Sequence, residues 1–416
     1  MTRWQWAARL LTRHVWFRAA LFCVFAALLA LAGAVLGPIL PYDFGTKIGA
    51  KSVDNILNVL AASMLTVTTF SLTAMVQAYS GATSSITPRA VQLLIDDTTA
   101  QNALSTFLGS FLFAVVGIIA LSTDLYGETG RIILYIGTIL VVLYIVVTLL
   151  RWIEHLARFG RVSDTIRRVE TAALKAVADL TVPLRFNAST TTVPANARHI
   201  RCDAIGRVTH IDISDLAEIA EEIGADVNVA VSPGALIDPA RTIAWLSGDA
   251  DDQQIRKITD AFTIAHDRAF DQDPRFGLVV LSEIAARALS PAVNDPGTAI
   301  AVLDAGTRVL ATLLHHRPDE ENIPPAGVIV PSLAFDDLIE DLYRPIARDG
   351  ASMVEVGIRL QKSLYTLAGL EPGARVTCVA ASTDALVRAE AALTSDADRS
   401  GVRQLHHALW RGHVTS

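Results

Sequence analysis

Cysteine is scarce in this chain. Cys23, Cys202 and Cys378 are the only three in 416 residues, and they form neither a CxxC pair nor a Cys/His cluster. Their isolation argues against a zinc site or a redox dithiol and fits a reducing compartment. Acidic residues are nearly missing from the first part of the chain. Only Asp43, Asp54, Asp96, Asp97, Asp124 and Glu128 precede residue 151, and the other 36 of the 42 follow it. There is no basic tract interleaved with aromatics, and the net charge of −7 argues against nucleic acid as a partner. A glycine-rich phosphate loop, an HExxH zinc motif and a GxSxG nucleophile elbow are also missing. No catalytic residue, metal or cofactor is therefore assigned, and the expectation is a protein that is not an enzyme.

What the first part does have is apolar length. Hydrophobic residues make up 51% of the chain, and its mean hydropathy is +0.40. About 20 apolar residues cross a bilayer as a helix, and four segments qualify: roughly Phe17–Leu40, Ile56–Tyr79, Leu104–Leu121 and Ile132–Leu150. The first follows Arg3, Arg9, Arg13 and Arg18 as a signal peptide would. Its apolar run is too long for one, however, and Pro38 and Pro41 stand where a small-residue cleavage site belongs. It is read as a retained span. Arginines also follow span four, at Arg151, Arg158, Arg161, Arg167 and Arg168, and Arg89 lies between spans two and three. The other side has only Lys47, Lys51 and Arg131. The positive-inside bias predicts a multi-pass inner-membrane protein with both termini cytoplasmic.

Span two is unusually polar for its hydropathy. On a helix, Asn55, Asn58, Thr66, Thr69, Thr73, Gln77, Ser80 and Ser84 follow one another mostly three or four residues apart. They form a stripe opposite Leu57, Leu60, Met64, Leu65, Val67, Leu72 and Met75. Asn55, Asn58, Thr66, Thr69, Thr73 and Gln77 are candidates to line a hydrated path without fixed charge. The alternative is a packing role, with the hydroxyls bonded to backbone carbonyls or neighbouring helices. Gly109, Ser110 and Gly117 in span three and Gly137 in span four allow close helix contact. The loop after span two runs to Pro88. An amphipathic helix over Ala90–Ile95 follows, up to the capping residues Asp96-Asp97.

Beyond span four, periodicity predicts a helix over Arg151–Val182 and a polar linker at Asn187–Pro194. A small β-rich module follows, with strands on both sides of Gly206, a helix over Ile213–Ile223 ended by Gly224, and strands at Asp226–Val231 and Thr242–Leu246. At about 50 residues it is too small to hold a large core alone. Gln253–Leu314 reads as helical. The tail reads as helices over Phe335–Arg348, Ser352–Ala368, Thr383–Leu393 and Val402–Trp410, with a strand at Val376–Ala380. The pairs His315-His316 and His406-His407 are expected to be exposed. The expected layout is a transmembrane domain over 1–151, a juxtamembrane helix and linker over 152–194, the β-rich module over 195–250 and a mainly helical cytoplasmic domain over 251–416. In fold class this is a membrane protein of four transmembrane α-helices with a cytoplasmic α+β domain.

The densest polar cluster lies between Arg268 and Thr298. It includes Arg268, Asp271, Asp273, Glu283, Arg287, Asn294 and Asp295, with Glu283 and Arg287 one helical turn apart and able to pair. Asn294 or Asp295 can cap the next helix. Asp271, Asp273, Glu283 and Asp295 carry oxygens that suit Mg²⁺ or Ca²⁺, but a structural network or a regulatory ligand site explains the same residues.

The string RALSPAVNDPGTA, with Arg268, Asp271-Gln272-Asp273, Phe276-Gly277 and Glu283-Ile284-Ala285 upstream, resembles the signature of domain of unknown function 2254, a family of bacterial predicted inner-membrane proteins. So do FSLT at Phe70–Thr73 and Thr87-Pro88-Arg89, where the family usually has Ser-Pro-Arg. GRVTHIDISDLAEIAEE resembles the family's Gly-Tyr-Val strand, with Arg207 in place of the usual aromatic. The resemblance implies a multi-span membrane protein with a cytoplasmic domain and carries no activity with it. Two functional expectations stand. One is an oligomeric channel-like or transport protein with span two lining a polar path. The other is a membrane-anchored scaffold or signalling protein whose cytoplasmic half binds a partner or ligand. Both place the chain among membrane lipids, and the first requires a homo-oligomer, because four spans make a thin wall.

Overall fold

The computed structural model describes residues 15–36, 50–85, 87–95, 97–123, 128–182, 184–186, 193, 197–318 and 325–411. The N-terminal arginines Arg3, Arg9 and Arg13, residues 37–40 of the first expected span, and nearly all of the 187–194 linker lie outside them. The chain folds as two compact units, one of residues 6–83 and 91–161 and one that takes in 84–90 and 162–416.

The first unit is helical: α1 (Val15–Leu36), α2 (Ala50–Ser85), α4 (Thr98–Ser122) and α5 (Glu128–Arg158), together with α3 (Pro88–Ile95) from Val91 on, its first three residues being counted with the second unit. Within α2, α4 and α5, residues 52–81, 98–122 and 130–158 are long and apolar enough to cross a membrane, and they contain the second, third and fourth expected spans. In α1 the described apolar stretch is Ala19–Leu29. Large apolar residues such as Leu21, Phe25, Val59, Phe70, Leu140 and Leu143 are exposed around these helices, as lipid contact requires. The interior is built by Leu57, Leu60, Met64, Met75, Phe107 and Phe113. Small residues bring the helices together: a Cβ on Gly117 would stand 3.1 Å from Leu57 Cδ1, and one on Gly109 would stand 3.3 Å from the Phe22 carbonyl oxygen. Asp97 caps α4 by accepting the Ala100 N–H at 2.8 Å.

The helix expected over Arg151–Val182 is two helices. Gly160 adopts φ 77, a left-handed conformation that ends α5, and α6 (Val162–Ala178) restarts in the second unit. After it come β1 (Arg198–Arg201), β2 (Gly206–Ile211), α7 (Ile213–Ile223), β3 (Val227–Val229), β4 (Leu236–Ile237), β5 (Thr242–Leu246), α8 (Asp252–Asp260) and β6 (Phe262–Ala265). Then follow α9 (Pro274–Ala288), α10 (Pro296–His315), β7 (Val328–Ile329), α11 (Phe335–Asp349), α12 (Val354–Leu370), α13 (Arg375–Ala392) and α14 (Asp396–Trp410).

One sheet runs β1-β5-β3-β7, antiparallel except for the parallel β3/β7 edge; the other is the antiparallel β4-β2-β6. The module is larger than the expected 195–250. β6 lies in a stretch read as helical, and β7 returns after α10 to complete a core of Val208, Ile211, Leu216, Val227, Ile243, Leu246, Phe262 and Val328. These additions answer the size problem, since strands of both sheets, with α7 and α8, now contribute to one buried core. Asp212 caps α7 at 3.1 and 3.2 Å from the Ser214 and Asp215 amides, and α7 ends at Gly224.

In the helical part, α9 packs on α6, α10 and α11, while α12 and α13 close the other side with α14. The expected strand at Val376–Ala380 is the first part of α13. Cys378, Ser382, Ala385 and Leu386 form its buried face, a helical rather than an alternating repeat. α10 is also long and apolar enough to cross a membrane, a property the sequence reading did not assign to it. Its apolar residues Val302, Leu303, Val309 and Leu310 are buried within its own unit, where Arg308 pairs with Glu170 and Asp304 with Arg359.

Candidate functional site: the polar face of α2

The buried side of α2 runs through Val53, Leu57, Leu60, Met64, Ser71 and Met75, a three-and-four repeat that seats the helix. The opposite side carries Asn55, Asn58, Thr66, Thr69, Thr73, Gln77 and Ser80, all exposed; Ser84 has no described side chain. The boundary is narrower than expected. Leu65 and Leu72 are exposed on the same side as the stripe and Val67 is half-buried, so the polar face is flanked by apolar residues rather than opposed by them.

Within the stripe, hydroxyls turn back onto their own helix. Thr66 donates to the Ala62 carbonyl, Thr69 to Leu65 and Thr73 to Thr69, each at 3.0 Å, and the Asn58 amide donates to the Asp54 carbonyl at 2.9 Å. Such bonds satisfy each threonine hydroxyl hydrogen, and one of the two Asn58 amide hydrogens, without a neighbouring helix, and leave the oxygen lone pairs able to accept. A second polar set, unnamed in the sequence reading, lies inside the bundle. Ser71, Ser105 and Thr106 are buried, and their hydroxyl oxygens have no hydrogen-bond partner among the described residues. Single hydroxyls in apolar runs carry little signal, which is why they escaped notice.

At the Ser80 end, Tyr79 meets the Phe159 ring edge-on at 5.9 Å between centroids, and Phe159 lies 5.1 Å from the His155 ring. His155 Nε2 is 3.3 Å from the buried Asp97 carboxylate. This aromatic and acid–imidazole cluster was also not anticipated.

The Arg268–Thr298 residues separate into local roles. Asp273 caps α9, accepting the Phe276 N–H at 3.0 Å, and accepts from Arg268 Nε at 2.8 Å. Burial pushes its carboxyl up, against the opposing pull of Arg268. Gly234, at φ 85, lies so close over this pair that a Cβ there would collide with the Asp273 carboxylate. The Arg268 guanidinium also stacks 4.9 Å above the Phe276 ring. Asp295 caps α10, accepting the Thr298 N–H at 3.0 Å and its hydroxyl at 2.6 Å, and these bonds hold its carboxyl below the ordinary range. Asn294 precedes it at φ 53, a conformation asparagine tolerates.

Glu283 bonds to Thr87 and Arg89, and the Glu283–Arg287 pairing expected from spacing gives way to that contact. Arg287 is exposed and Asp271 half-buried. Of the four candidate carboxylates, Asp273, Glu283 and Asp295 thus serve separate purposes. Among the described residues, no three His, Cys, Asp or Glu side chains gather as a metal site.

His406, expected to be exposed, is buried. Its Nδ1 lies 2.9 Å from Ser382 Oγ and 3.1 Å from Gln361 Oε1, and Trp410 Nε1 donates to Ser382 Oγ at 2.7 Å. His316 is half-buried, with Nε2 3.0 Å from the Leu180 carbonyl oxygen.

A family model described as "Predicted membrane protein (DUF2254)" matches residues 12–366. The chain belongs to this family. Both the polar face of α2 and the NDP turn before α10 lie inside the match. This DUF2254 chain is 25% identical over 327 residues to an uncharacterized protein of Mycobacterium bovis, an alignment covering 72% of this chain and 61% of the relative. An uncharacterized protein of Mycobacterium tuberculosis matches with the same identity and coverage. The chain therefore spans less than two thirds of the length of these relatives. No solved structure matches.

Proposed function

We propose that this membrane protein works as an oligomeric channel-like or transport protein. The polar faces of α2 from several copies line a path, and the soluble unit assembles or gates them. The observation that carries this reading is the exposure of Asn55, Asn58, Thr66, Thr69, Thr73 and Gln77 along one side of an apolar helix whose other side is packed. Polar side chains are unfavourable against lipid and gain from facing water or a neighbouring subunit. A ring of copies supplies both, and it thickens the wall that one chain is too thin to make. We place the chain in the bacterial inner membrane with both termini cytoplasmic, on the weight of the basic residues that flank the spans.

The second reading, an anchored scaffold or signalling protein, draws support from the back-bonded hydroxyls of Thr66, Thr69 and Thr73, which need no water. The two readings diverge in ion or solute flux through vesicles containing the purified protein. Native protein is expected to conduct, and Thr66→Leu, Thr69→Leu and Thr73→Leu together are expected to reduce flux at least about tenfold. Native vesicles that stay tight, or flux indifferent to the triple change, would reject the channel reading.

A further inference from the structure

The stretch just after α2, residues 87–89, is gripped by a single carboxylate of its own unit. Thr87 is buried and donates its hydroxyl hydrogen to Glu283 Oε2 at 2.9 Å, while its oxygen accepts the Arg89 N–H at 3.4 Å. Arg89 Nη1 donates to the other oxygen, Oε1. Both Glu283 oxygens are thus taken by a three-residue stretch 194 to 196 positions away in sequence. Glu283 sits on α9, whose Leu281, Ser282, Ile284 and Ala285 are buried, so the carboxylate projects from a fixed post. Tyr79 is held separately by Phe159, so only a few residues separate two anchored points.

The grip is also built to open. Arg89 and Glu283 remain 58% and 28% exposed, and Glu283 forms part of the wall of a cleft of about 570 Å³ between α9, α11 and α13. Arg344 and Arg348 line the same cleft, bonded to Glu340 and Asp349. A Glu283 freed from Arg89 therefore meets a wall of mixed charge, with Glu340 and Asp341 beside the paired Arg344, Arg348 and Arg388, rather than an apolar one. An ion pair open to solvent is worth little and is weakened by salt, which suits a contact that exchanges.

We propose that Thr87, Arg89 and Glu283 form a releasable clasp that holds residues 87–89, the stretch that follows α2, on α9. It rests on the clasp geometry and stands whether or not the stripe conducts. The test is hydrogen–deuterium exchange on the full-length protein in lipid nanodiscs, read on peptides covering residues 87–95. Glu283→Gln and Arg89→Gln are each expected to speed exchange there roughly three- to tenfold. Raised salt should speed the native protein in the same direction. The charge reversal Arg89→Glu with Glu283→Arg should bring exchange back toward native, and Arg287→Gln should leave it unchanged. Single variants that exchange at the native rate, or a reversal pair as fast as the single variants, would overturn the clasp. If Glu283→Gln also loosens α9 and α10, Arg89→Gln, at an exposed position, decides: native-rate exchange in that variant overturns the proposal.

Discussion

Along α2, Thr66, Thr69 and Thr73 turn their hydroxyl hydrogens back onto their own helix and stay exposed. Between α12, α13 and α14, the Gln361 amide, the Ser382 hydroxyl, the His406 imidazole and the Trp410 indole N–H turn toward one another and are buried. The first arrangement needs nothing from the rest of the chain. The second exists only because three helices converge. A hydroxyl closed on its own helix costs the fold little wherever it faces, whereas an interlocked set is costly to break, because each loss strands the others. The exposed set is therefore free to serve a partner or a path, and the buried set is committed to holding the last helix in place.

The largest effect should come from breaking the buried set. Ser382→Ala removes the acceptor of Trp410 Nε1 and a partner of both Gln361 and His406, and should cost about 1–3 kcal/mol of stability. Urea unfolding followed by tryptophan fluorescence measures it, and a change below about 0.5 kcal/mol would mean the network is dispensable.

An intermediate effect concerns acid. Burial, then His407, holds the His406 imidazole below its ordinary value, against the upward pull of Glu390. The folded chain therefore binds that proton less readily than the unfolded chain. This contribution to stability is complete above about pH 6.5, the unfolded value, and is lost as pH falls below it. His406→Gln should flatten the loss of stability between neutral and mildly acidic pH. An unchanged slope would assign the acid sensitivity to other groups.

The smallest effect should lie on the exposed set. The triple threonine-to-leucine change in α2 should alter thermal stability by no more than a few tenths of a kcal/mol per site, since each residue is exposed and bonded locally. A large destabilisation would show that the stripe is packed in the assembled protein, and would favour the scaffold reading over flux.

Much of the architecture was legible in local residue order. The long apolar helices expected as spans two to four, the helix over Ile213–Ile223 with its Gly224 end, and a cap at Asn294 or Asp295 follow from apolar length, periodicity and capping chemistry; the caps at Asp212 and Asp273 were not read. β6, β7 and the start of α13 were not legible. Strands of two to four residues carry too few alternations to stand out, and a run such as Val376–Ala380 fits either period. The candidate site divides in the same way. The stripe was visible as a helical repeat, while Ser71, Ser105 and Thr106 inside the bundle were not.

By itself, the sequence determined that residues 52–81 form a long apolar helix with a polar edge, and which residues make that edge. Side-chain spacing on a helix depends only on the helix. Tertiary structure alone decided that this edge points outward, that Glu283 turns from Arg287 to Thr87 and Arg89, and that His406 is enclosed. Which face a helix buries, and which distant group completes a hydrogen bond, depend on neighbours that sequence separation conceals.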